Sequence, residues 1–102
     1  MKPYVVIGAG PMGLCTVRRL AEQNIPVCAF EIHSGVGGLW DINSPTSTMY
    51  ESAHLISSKR MTEFADFPMK DEVATYPRHD QMAAYLQDYA DHFNLQQYYR
   101  FN

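Results

Sequence analysis

The first apolar positions of the chain are contiguous. Residues 4–7 (YVVI) make a short β-branched run, the pattern of a strand buried on both faces. Glycines crowd residues 8–13, and Pro11 suits a first helical turn, where its missing N–H costs nothing. Leu14, Val17, Leu20 and Ala21 then recur at helical spacing, predicting a helix over about 11–23. Asn24 ends it, because asparagine tolerates the left-handed conformation. Residues 27–31 (VCAFE) read as a second strand. Residues 1–32 therefore form a β-α-β unit, and a parallel pair joined this way crosses over right-handed.

Periodicity is lost over residues 33–78, which carry Gly-, Ser- and Thr-rich stretches such as SGVGGLW and NSPTSTM. A long irregular stretch inside a compact domain is functional or disordered, and this one is read as lining a cofactor. Within it, residues 61–68 (MTEFADFP) hold one short helical turn before Pro68. Residues 80–93 regain a helical stripe of Met82, Tyr85, Leu86, Tyr89 and Phe93, with Gln87, Asp88 and Asp91 facing away. Asp80 stands near the start of that helix, where negative charge is favoured. Residues 98–101 (YYRF) open a third strand, so the helix and strand over 79–102 close what reads as a truncated domain.

Composition narrows the classes. A chain of 102 residues is one domain or less, and its 46% hydrophobic content supports a core. The net charge of −3 offers no basic face for phosphates, so nucleic acid is not an expected partner. No apolar run approaches the ~20 residues of a membrane span, and the apolar start meets Gly8 too soon for a signal peptide. Cys15 and Cys28 form neither a disulfide framework nor a C-x-x-C pair; both read as small core residues in a reducing compartment, the cytoplasm. His33, His54, His79 and His92 lack metal-ligand spacing, so no metal site is expected. Ser57 and Ser58 beside Lys59 have no nameable base and orienter, so no catalytic residue is assigned in this chain.

The chemistry lies in the first 40 residues. Gly8-Ala9-Gly10-Pro11-Met12-Gly13 fits G-x-G-x-x-G, after a strand and opening a helix. The first glycine allows the tight turn, the second lets a pyrophosphate approach the backbone, and the third lets helix and strand pack closely. The helix-start amides and the helix dipole favour the phosphates. Glu31 closes the second strand where an acid accepts hydrogen bonds from a ribose, and disfavours a 2′-phosphorylated nucleotide there. The site is thus one for FAD or NAD. Gly37-Gly38-Leu39-Trp40 follows; a second glycine pair lets the chain run close along the dinucleotide, which a simple nicotinamide dehydrogenase does not need. The fold expected is α/β: the first half of a doubly wound, Rossmann-like FAD/NAD(P)-binding domain in three layers. Its parallel strands lie at about 4–8, 27–31 and 98–102, in the order 3-2-1.

Taken together, GAGPMGL, FE with VGGLW, MYESAHLISSKRMTEFADFP and YPRHDQMAAYLQDYADHFNL with RF resemble the N-terminal part of flavin-containing monooxygenases and their bacterial relatives. The resemblance covers nearly the whole chain. It implies FAD as partner, with Gly8, Ala9, Gly10, Pro11, Met12 and Gly13 on its pyrophosphate, Glu31 on the adenosine ribose, and Gly38, Leu39 and Trp40 on the flavin side. Ile56 and Ser57 would run past the cofactors. NADP(H) and a small-molecule substrate are expected only with the rest of such a protein. The chemistry implied is NADPH- and O2-dependent oxygenation of soft nitrogen or sulfur, or insertion of oxygen beside a ketone. The family commonly places an Asn two residues before the Ser of its SK pair, beside flavin and nicotinamide, where this chain has Ile56. An aliphatic side chain makes no hydrogen bond, which keeps open a non-catalytic dinucleotide-binding module or a reductase without oxygenation.

Overall fold

Three parallel strands organise the computed structural model, which describes residues 2–102. They are β1 (Tyr4–Ile7), β2 (Val27–Glu31) and β3 (Tyr99–Phe101), in the order β1-β2-β3. This is the adjacency predicted from the sequence. Helix α1 (Pro11–Glu22) joins β1 to β2. The longer connection from β2 to β3 carries a 3-10 turn over Gly38–Trp40, the short α2 (Lys59–Thr62) and α3 (His79–His92). Asn24 has φ 58° beyond α1, as the helix-stop reading requires.

Strand register explains which face is covered. Val6 pairs with Ala29 and Ala29 with Tyr99, and all three are buried. Their neighbours Ile7, Phe30 and Arg100 form the next row, and all are exposed, Ile7 at 78%. The expectation that β1 is buried on both faces, within three layers, is therefore corrected: among the described residues, helices cover one face only. The cause is handedness. Strands are added in one direction, and right-handed crossovers then bring α1 and α3 to the same side.

The covered face holds the core. Leu14 and Val17 of α1 meet Tyr85, Leu86, Tyr89 and Ala90 of α3 in one buried cluster. Each fully buried Leu or Val side chain contributes ~1.5–3 kcal/mol. Phe64 stacks on Tyr89 with ring centroids 4.3 Å apart, and Phe67 meets the same ring edge-on at 5.5 Å. The Tyr85 hydroxyl accepts the Phe64 amide and donates to the Phe67 carbonyl. Burial pushes that phenol up to about 12, so it stays a donor at every ordinary pH.

The irregular stretch is ordered by hydrogen bonds rather than by periodicity. The Leu55 amide donates to the Pro77 carbonyl and the His79 amide to the Ala53 carbonyl, tying residues 53–55 antiparallel to the start of α3. Lys59 Nζ donates to the carbonyls of Asp71 and Val73 at 2.9 and 2.6 Å. The expected helical turn within 61–68 begins earlier, as α2, and its C-cap is Glu63.

Arg18 locks α1 to this stretch. Its guanidinium lies 3.7 Å from the Phe93 ring centroid and makes a bidentate pair with Asp66. Hydrogen bonding to Arg18 holds the Asp66 carboxyl below the usual carboxylate range. A depressed folded-state pKa gives stability that is fully present above the unfolded value of about 3.9 and is lost as pH falls through the folded one. The melting-temperature difference between wild type and Asp66→Asn is therefore expected to hold steady from pH 7 to about pH 5 and to shrink as pH falls below the unfolded value of about 3.9. Thermal unfolding followed by circular dichroism across that range checks it.

Candidate functional site

The glycine turn sits at the carboxyl ends of β1 and β2, where open α/β sheets bind ligands. Gly8 turns the chain with φ 108°. A Cβ built on Gly13 would lie 2.2 Å from the Gly8 carbonyl oxygen, so α1 can begin there only with a hydrogen at that position. The third glycine thus performs the close packing expected of it. A Cβ on Gly10 would be 3.7 Å from the Cα of Gly38, an ordinary contact. The Gly38 backbone is the near neighbour of that position, and a branched side chain would press on the 3-10 turn.

The two glycine segments are joined. The Gly37 amide donates to the Ala9 carbonyl at 2.9 Å. Gly38 has φ 60°, and a Cβ there would stand 3.0 Å from the Cα of Gly10. This brings Gly8, Ala9, Gly10, Pro11, Met12, Gly13 and Gly38 together, with Leu39 exposed and Trp40 half-buried on the same turn.

The helix start is left open to an anion. Pro11 has no N–H, and the Leu14 amide bonds to the Gly10 carbonyl. Among the described residues, the amides of Gly10, Met12 and Gly13 have no protein acceptor. No side chain caps α1, and its first turn carries no acid. Unpaired donors and the positive end of the helix dipole favour a phosphate there.

Glu31 is 8% exposed at the end of β2. One carboxylate oxygen accepts the Ala9 amide at 2.8 Å and the other accepts the His33 amide at 2.9 Å. Each oxygen has a second lone pair for a further donor. Beyond Glu31 lies an open pocket of about 370 Å³ lined by Ile32, His33, Ser34, Asp41 and Asn43, among others. The acid is thus a backbone-binding group first, a role that the ribose reading of the strand end does not contain.

Ile56 and Ser57 are not joined to the glycine turn by any hydrogen bond among the described residues. Ile56 is 96% exposed, and Ser57 Oγ pairs with Thr62 Oγ1 at 2.6 Å. Lys59, of the same segment, is committed to carbonyls as a loop anchor.

Sequence reading missed Tyr99. From the first position of β3 its hydroxyl donates to the Gly8 carbonyl at 2.7 Å. Burial, with Glu31 nearby, raises its phenol pKa far above the ordinary value, so the donor is always protonated. The only signal available was a hydroxyl-bearing aromatic at an inward strand position.

The family model described as flavin-binding monooxygenase-like matches residues 1–102. The chain belongs to that family. Dimethylaniline monooxygenase [N-oxide-forming] 4 of Mus musculus is 32% identical to it over 104 residues, covering 98% of this chain and 19% of that protein. Flavin-containing monooxygenase 3 of Rattus norvegicus is 34% identical, covering 98% and 20%. The chain therefore spans about a fifth of the length of these curated relatives. Among solved structures, an oxidized steroid monooxygenase bound to NADP superposes with a TM-score of 0.82 at 33% identity, covering 95% of this chain and 18% of the other. S-allyl-L-cysteine S-oxygenase from Allium sativum superposes with a TM-score of 0.84 at 23% identity, covering 95% and 27%, a likeness of fold. This flavin-binding monooxygenase-like chain corresponds to an FAD-binding part of a flavoprotein monooxygenase. Its described helices include none long and apolar enough to cross a membrane.

The spacing around the turn separates fold from ligand at two of its glycines. Gly13→Ala adds helix propensity worth about 1 kcal/mol, yet sets a methyl against a backbone carbonyl that cannot rotate away. A net loss of at least about 1 kcal/mol is expected in urea unfolding. Gly10→Ala meets only an ordinary contact and is expected to stay within about 0.5 kcal/mol of wild type.

Proposed function

We propose that the glycine turn holds the pyrophosphate of FAD. The free amides of Gly10, Met12 and Gly13 are its donors, and Glu31 accepts the adenosine ribose through its remaining lone pairs. The observation that carries this reading is the uncapped helix start, with three unpaired amides, held against a second glycine segment. The Gly38–Trp40 turn then lies toward the flavin, and Ile56 and Ser57 lie along the cofactor path. Such residues bind and orient; when bound, FAD would supply the redox chemistry.

For the whole protein, the reading is a monooxygenase that uses NADPH and O2 on a small molecule, at soft nitrogen or sulfur or beside a ketone. The relatives named as N-oxide-forming, S-oxygenase and cyclohexanone monooxygenase support that range. The two free thiols, Cys15 and Cys28, fit a reducing compartment and so a cytoplasmic protein. Gly10→Ala is the test of the site. With apo stability preserved, its methyl stands where the pyrophosphate must approach, and FAD affinity is expected to fall by about 1–3 kcal/mol. Flavin absorbance retained after gel filtration, and titration calorimetry, measure it. Wild-type retention in the variant removes the turn from the site.

A second reading is favoured by Ile56, which presents an exposed aliphatic surface where the family commonly has an amide. A protein lacking that polar contact would reduce its flavin with NADPH and pass the electrons to O2 as hydrogen peroxide. Loss of one preorganised donor typically costs ~2.7–4 kcal/mol of barrier, so the effect is expected to be large. Ile56→Asn should raise product formed per NADPH and lower the peroxide yield. Tight coupling in wild type, or a peroxide yield unmoved by the substitution, defeats this second reading.

A further inference from the structure

One peptide group in the glycine turn is gripped at both ends. The Gly8–Ala9 peptide donates its N–H to Glu31 Oε1 at 2.8 Å and accepts the Tyr99 hydroxyl on its carbonyl at 2.7 Å. Glu31 is the last residue of β2 and Tyr99 the first of β3, and both are buried. The C=O and N–H of a trans peptide point in opposite directions. Two bonds on opposite edges therefore stop the plane from turning about the chain.

The turn needs such a grip because of the residue that makes it possible. Gly8 lacks a Cβ and has open space where one would be. The freedom that allows φ 108° also leaves Gly8 unable to hold the following peptide in one orientation. A turn of that peptide also changes φ at Ala9, and any of that change not taken up locally moves the Gly10 amide and the Ala9 carbonyl that receives Gly37. Filling space is not what Tyr99 is needed for. A phenylalanine ring would stack on Phe101 equally well. What tyrosine adds is the hydroxyl, aimed at the turn from 91 residues away.

We propose that Tyr99 is a positioning residue for the dinucleotide: with Glu31 it sets the plane of the Gly8–Ala9 peptide, and so the aim of the amides that receive the pyrophosphate. The inference rests on the reading of this turn as the FAD site. It gives β3, which touches no ligand in that reading, a part in ligand binding.

The test is a double-mutant cycle in the whole protein, with FAD as the probe. FAD affinity and release rate are measured by flavin fluorescence for wild type, Tyr99→Phe, Glu31→Gln and the pair. Tyr99→Phe is expected to bind FAD about tenfold more weakly, chiefly through faster release. The pair is expected to lose less than the product of the single losses, because both residues hold one peptide. In the FAD-free protein, hydrogen exchange at the Ala9 amide is expected to quicken in Tyr99→Phe. Arg100→Ala changes the same strand on its exposed face, away from Tyr99 and Glu31, and should keep wild-type release.

A wild type that takes up no FAD overturns the site reading, and the inference with it. A wild type that holds FAD beside a Tyr99→Phe variant that holds it equally well overturns the inference alone. So do single losses that multiply independently, or an Arg100→Ala loss as large as that of Tyr99→Phe.

Discussion

The contact between Gly13 and the Gly8 carbonyl oxygen governs this structure. With 2.2 Å available to a Cβ, the first turn of α1 rests on the end of β1 with nothing between them but hydrogen. That closeness fixes where the helix begins relative to the sheet. It carries Leu14 and Val17 onto the covered face, and it aims the free amides at the space beyond the strands. A side chain at this point would move the helix, the core and the free amides together.

Much of the fold was legible in the sequence because it rests on local rules. The run YVVI, the clustered glycines, Pro11 and the helical spacing of Leu14 and Val17 each act within a few residues. All of them agree on strand, turn and helix. Asn24 marked the helix end for a local reason too, its left-handed φ. The second face of the sheet was misread because β-branched runs report strand character. They do not report whether another layer lies above; that depends on the direction in which strands are added.

The site was legible in its outline and less so in its wiring. Spacing singled out Gly8, Gly10, Gly13 and Glu31, and these residues come together at the ends of β1 and β2. It did not show that Glu31 spends both oxygens on backbone amides, or that Gly37 hands its amide to Ala9. Those are choices among partners close in space and far apart in sequence. Lys59 illustrates the same limit. Beside two serines it invites a chemical reading, yet its ammonium is taken up by the carbonyls of the 70–73 loop. Arg18 likewise gives no hint in sequence of Asp66 or Phe93.

The long reach of the Tyr99 hydroxyl bears on the order in which the protein assembles. A contact spanning 91 residues closes nearly the whole chain into one loop, and such closures come late because their entropy is lost before they are rewarded. The first strand and helix can pair early, with the glycine turn between them still loosely held. Only when β3 docks beside β2 does the turn reach its final form. The glycine turn, made early in synthesis, is therefore among the later parts of this segment to settle, because its peptide waits for a hydroxyl made 91 residues on.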